Sequence, residues 1–134
     1  MASSPVSSQA AAQAIPQPVA DHFISTLTAL VSTGREAVAA CTTSDTRQQA
    51  SVWQKKVQPL LETRLSAAQA AMTQFAAGNH EPLVTAALPL RFLARDTDGC
   101  SLDFAGETFA AQFVERRRLV VLAAWRVCQS AGAA

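Results

Sequence analysis

The apolar residues of this chain recur mostly at intervals of three and four, the spacing that places side chains on one face of an α-helix. Phe23, Leu27, Leu30, Val31, Val38 and Cys41 form the first such stripe and predict a helix from about Pro18 to Cys41. Pro18 suits a first-turn position, where its missing N–H costs nothing, and Asp21 lies near the positive end of the helix dipole. Gly34 interrupts the stripe. A glycine inside a helix costs about 1 kcal/mol of propensity, so its presence points to another helix approaching closely there.

The second stripe runs Trp53, Val57, Leu60, Leu61, Leu65, Ala68, Met72, Phe75. It predicts a helix that starts at an Asp45 cap, with Gln48 three residues on as in a capping box, and stops at Gly78-Asn79. Pro59 lies inside it and cannot donate to the preceding turn, which predicts a kink or a division into two shorter helices. The third stripe, Phe109, Phe113, Val120, Ala124 and Val127, predicts a last helix from Glu107 to Ser130. Between the second and third stripes the pattern changes. Pro82 opens a short helical turn up to Leu88; then Leu90, Phe92 and Ala94 alternate with their neighbours. After Asp98-Gly99 the alternation resumes at Cys100, Leu102 and Phe104. Two alternating runs around an Asp-Gly pair predict a β-hairpin, with an ordered loop as the alternative.

The fold class is therefore mainly α: a small bundle of three main helices, with a hairpin or ordered loop before the last. A length of 134 residues suits one domain. Residues 18–130 are expected to form it, flanked by a flexible Ser/Ala/Gln/Pro-rich arm at 1–17 and a short tail at 131–134.

Composition adds a question of surface. Hydrophobic residues make up 49% and charged residues only 16%, against a usual charged share of about 25%; part of the surface must then be apolar. The run Leu119–Trp125, LVVLAAW, is apolar on every side of its helix. Val121, Leu122 and Trp125 fall roughly opposite the core-facing stripe and are expected to dock on another protein chain, in a hetero-complex or a homodimer. Trp125 would be the anchor.

Charge and motifs mostly exclude. A net charge of +1 gives no bulk attraction to nucleic acid, and no apolar run approaches the ~20 residues that span a bilayer. The first twenty residues carry no charged side chain, so neither a secretory signal nor an arginine-rich transit peptide is expected. Cys41, Cys100 and Cys128 are an odd set without CxxC spacing, which suits a reducing compartment better than a disulfide framework. A single Cys41–Cys128 bridge is the alternative. The expected location is intracellular, in the cytoplasm or an organelle interior; a mitochondrial complex would lack the support of a presequence.

Chemistry is sparse. Asp96 and Glu107 stand at the first and twelfth places of a would-be calcium loop, but Ser101 holds the sixth, where the turn needs glycine. His80-Glu81 is raw material for acid–base work, yet it sits where a helix stops, and His22 is its only fellow histidine. No nucleophile elbow or phosphate-cradling loop is present. No catalytic residue, metal site or cofactor is expected. Arg64 and Arg116 fall on core-facing stripes, where they either snorkel, pair with a carboxylate, or bind an anion. The three consecutive arginines 116–118 fan through roughly 200° of the helix and cannot share one target. The reading that follows is a non-catalytic structural or accessory subunit in a larger intracellular complex. Its alternative is a small regulatory helical domain holding an anionic ligand between Arg64 and Arg116.

Overall fold

The computed structural model describes residues 14–132. Residues 1–13 of the expected arm and 133–134 of the expected tail lie outside them. The elements are α1 (Gln17–Ala39), α2 (Ser44–Lys56), α3 (Gln58–Ala76), α4 (Glu81–Ala87), a 3₁₀ segment (Leu88–Phe92), α5 (Leu93–Asp96), a 3₁₀ turn (Asp103–Ala105) and α6 (Glu107–Ser130). Helix α1 is the spine of the bundle, packed along α6 on one side and α3 on the other. Helix α4 bridges α3 and α6, while the 3₁₀ segment lies against α6.

The long helices follow their stripes. Phe23, Leu27, Leu30 and Val31 of α1 are fully buried, as are Leu61 of α3 and Phe113, Val120 and Val127 of α6. The second stripe divides, as Pro59 requires. Val57 closes α2 by donating to Trp53 O at 2.9 Å, and α3 starts one residue later with Pro59 in its first turn. Gly78, at φ +94°, ends α3. Asn79 N–H reaches Gln74 O and Gly78 N–H reaches Phe75 O, the paired bonds of a glycine stop.

Three details differ from the sequence expectation. The cap of α2 is Thr43, not Asp45: Thr43 Oγ1 accepts from Thr46 N–H and Thr46 Oγ1 from Thr43 N–H, both at 3.2 Å. A threonine pair thus does what a Ser–Glu capping box does, and Asp45 moves into the first turn, where its charge still suits the dipole. The packed chain also starts before residue 18. Ile15 belongs to the core, and its N–H is held at 3.1 Å by His80 Nδ1.

The third difference is larger. There is no strand among the described residues, so the expected hairpin is absent. Leu83, Ala86, Ala87, Leu90, Leu93 and Thr97 are the buried positions here, and their spacing is helical throughout. Pro89 only tightens the path, sitting at the start of the 3₁₀ segment where no N–H is needed. Asp98-Gly99 is a turn, with Gly99 at φ +80° and Cys100 N–H on Thr97 O, but it follows a helix. The apparent alternation came from Phe92 and Ala94, both of which are exposed.

Candidate functional site

Two parts of the molecule are built with unusual side-chain detail, and they differ in how completely they are closed. The first joins α1, α2 and α3. Trp53 Nε1 donates to Gln58 Oε1 at 2.8 Å, and Gln58 Nε2 donates to Glu62 Oε2 at 2.7 Å. Arg35 on α1 completes the chain with a two-pronged ion pair to Glu62, its Nε lying 2.7 Å from Oε2. Gly34 makes room for this clasp, since a Cβ there would collide with Gln58 Oε1 and crowd Trp53 Nε1. The close approach expected at Gly34 is thus a polar one. Arg35 holds the Glu62 carboxyl below its ordinary range, chiefly through the hydrogen bond, with burial acting the other way.

The second part is the outer face of α6 with the 3₁₀ segment and α5 beside it. Trp125 is half-buried, edge-on to Phe92 at 6.5 Å between ring centroids. The Arg91 guanidinium lies 4.7 Å above the Trp125 ring and 5.1 Å from that of Phe92, while Arg95 covers Phe92 from 4.8 Å. Val121 is also half-buried, whereas Leu122 is 48% exposed. Leu122 forms a crest between two shallow hollows. One lies against Ala94 of α5, bordered by Val114, Arg117, Arg118 and Val121, with a volume of about 280 Å³. The other lies towards His22 of α1, bordered by Trp125, Arg126 and Gln129.

Of the residues expected to meet a partner, Leu122 is the open one. Trp125 is already occupied by its own chain, and Val121 is partly covered. Val114, 55% exposed, and Phe92, 39% exposed, belong to the same surface and were not anticipated. Phe92 was hidden by the hairpin reading. Val114 could have been found, because it lies two helical turns before Val121 and so on the same side of α6.

The arginine triplet divides as its geometry requires. Arg116 donates to Thr33 Oγ1 on α1, a buried hydroxyl that itself donates to Ala29 O. Arg117 reaches Thr97 Oγ1 at 3.0 Å and lies over the Phe113 ring. Arg118 pairs with Glu115, whose carboxyl it holds below the ordinary range. Arg64 borders a separate hollow formed with Asn79, Glu81, Pro82 and Thr85. Arg64 and Arg116 therefore share neither hollow nor hydrogen-bond partner, and Glu81 brings a negative charge to Arg64's side.

His80 stacks on Phe75 at 4.3 Å while accepting the Ile15 N–H, so both its face and one nitrogen are engaged in holding the chain. All three cysteines are free, and burial pushes the Cys128 thiol above its ordinary value, with Arg91 acting the other way. No group of three or more His, Cys, Asp or Glu side chains is placed to hold a metal among the described residues. None of the described helices is long and apolar enough to cross a membrane. No protein-family profile matches the chain, and no curated protein or solved structure matches it either.

Proposed function

We propose that this chain is a non-catalytic structural or accessory subunit that packs through the outer face of α6 against a partner protein in a larger complex. One observation carries the reading. Of four exposed large apolar side chains among the described residues, three (Phe92, Val114 and Leu122) lie on one surface, continuous through Val121 and Trp125. The fourth, Val52, is on α2 beside another hollow. Scattered apolar residues are ordinary on a protein surface, but clustered ones mark a place from which water is meant to be excluded. Val114 and Leu122 are about half exposed, so covering each contributes about half of the roughly 1.5–3 kcal/mol that full burial of a valine or leucine supplies. Two or three such side chains suffice to anchor an interface of ordinary anatomy, with an apolar centre and a polar rim.

Light scattering at high ionic strength tests this, because salt screens the repulsion between the arginines of neighbouring copies. Deprived of its partner, the wild-type chain is expected to self-associate as concentration rises. Leu122→Glu, at an exposed position, should keep the same helical circular dichroism and stay monomeric. A wild type that remains monomeric throughout and also binds no helical peptide would reduce the surface to ordinary apolar scatter and remove the case for a docking face.

A further inference from the structure

The face of α6 is edged mainly by arginines. Arg117, Arg118 and Arg126 border its hollows, Arg91 and Arg95 lie over Trp125 and Phe92, and Asp96 and Glu115 pair with Arg95 and Arg118. Arg91, Arg117 and Arg126 have no ion-pair partner among the described residues. Two of these heads are held in place. Arg91 lies over the Trp125 and Phe92 rings with its Nε on Leu88 O, and Arg117 lies over Phe113 with one nitrogen on Thr97 Oγ1. A guanidinium stacked by its flat face keeps edge N–H groups for a carboxylate, and a head already held loses less freedom when it binds one.

Resting on the reading of this face as a docking surface, we propose that its occupant is an acidic amphipathic helix of a different protein. Its apolar side chains would sit beside Leu122 in the Val114–Val121–Ala94 hollow, and its Asp or Glu residues would meet the arginines. A second copy of this chain is the wrong partner, because a two-fold contact would set arginines against arginines. Nor can the chain's own first twenty residues supply the charge, since they contain no acidic side chain. Nucleic acid is disfavoured because bases would stack on exposed aromatic faces, and here Arg91 lies over Trp125 and Arg95 over Phe92.

The probe is a displayed library of helical peptides with leucines fixed one turn apart and flanking positions randomised. Selection on the full chain is expected to enrich Asp and Glu at the flanks. Arg95→Glu with Arg126→Glu, two exposed positions, should weaken the selected peptides about tenfold or more and shift a fresh selection towards Lys and Arg. Binding lost on Leu122→Glu but untouched by the arginine changes would overturn the acidic partner while leaving the apolar docking face standing. Selection of no helix at all, in a protein that also stays monomeric at high salt, would overturn both. Tighter binding of phosphatidylserine vesicles or of a single-stranded oligonucleotide than of any selected peptide would overturn the proposal in favour of those ligands.

Discussion

The two tryptophans of this chain stand in opposite circumstances. Trp53 is 3% exposed, its N–H satisfied by Gln58 and its ring edge-on to Phe113 at 5.1 Å. Trp125 is half-buried, and its cover is an arginine and the edge of an exposed phenylalanine. Around Trp53 each polar atom finds a partner from another part of the same chain, and Gly34 gives up a side chain to let that happen. Around Trp125 the apolar surface continues outwards to Leu122 and Val114, with arginines left over. One region is finished by the fold; the other leaves apolar side chains open, and arginines without an ion-pair partner among the described residues.

That contrast is open to measurement. Trp53→Ala should be the most damaging single change, about 3–5 kcal/mol, as for other buried large-to-alanine truncations. Trp125→Ala should cost less than half of that; equal losses in chemical denaturation would erase the distinction between the two regions. Gly34→Ala comes next. It gains about 1 kcal/mol of helix propensity but displaces Gln58 and strands the buried Trp53 N–H, a cost of about 1–3 kcal/mol. A net destabilisation of about 1 kcal/mol is expected, shrinking in a Gln58→Ala background; a cost unchanged by Gln58→Ala would mean that the clasp is not what the glycine accommodates.

Acid titration sharpens the same side of the comparison. Glu62 is held below its unfolded-state value, so its contribution is complete above the ordinary glutamate range and is lost as pH falls through the lowered folded value. Glu62→Gln should therefore flatten part of the acid limb of the stability profile, modestly, because both partners reach solvent. The smallest effect on stability belongs to the other region. Leu122→Glu should stay within about 0.5 kcal/mol of wild type, even where it abolishes the proposed association. A thermal melt showing a large loss for Leu122→Glu would make the crest part of the core.

The long helices are legible in the sequence because each has one apolar face and clear punctuation. Pro59 divides the second stripe, Gly78-Asn79 ends it, and α6 occupies the predicted span, Glu107–Ser130. The segment from Leu88 to Ala105 was not legible as helix. A proline and an Asp-Gly pair each favour a strand-and-turn reading locally, and Phe92, exposed but aromatic, completes a false alternation. Only contact with α6 reveals that Leu90 and Leu93 are the buried pair. The clasp was half legible: Gly34 signalled a close approach, but nothing local pairs Gln58 with a tryptophan five residues earlier. On the outer face of α6, the apolar run in the sequence contains Leu122, which the fold leaves exposed. It could not show that Trp125 is covered from within, because the covering residue, Arg91, comes from 34 positions earlier in the chain.

The placing of the tryptophans has a practical consequence. The chain contains two tryptophans and no tyrosine, so its ultraviolet emission above the phenylalanine range comes from Trp53 and Trp125 alone. Trp125→Phe leaves a single emitter inside the clasp, whose red shift reports global unfolding. Trp53→Phe leaves one beneath Arg91 on the open face, where a ligand settling on α6 changes its colour and its access to iodide or acrylamide. The protein thus carries two separate optical channels, one for its own folding and one for company.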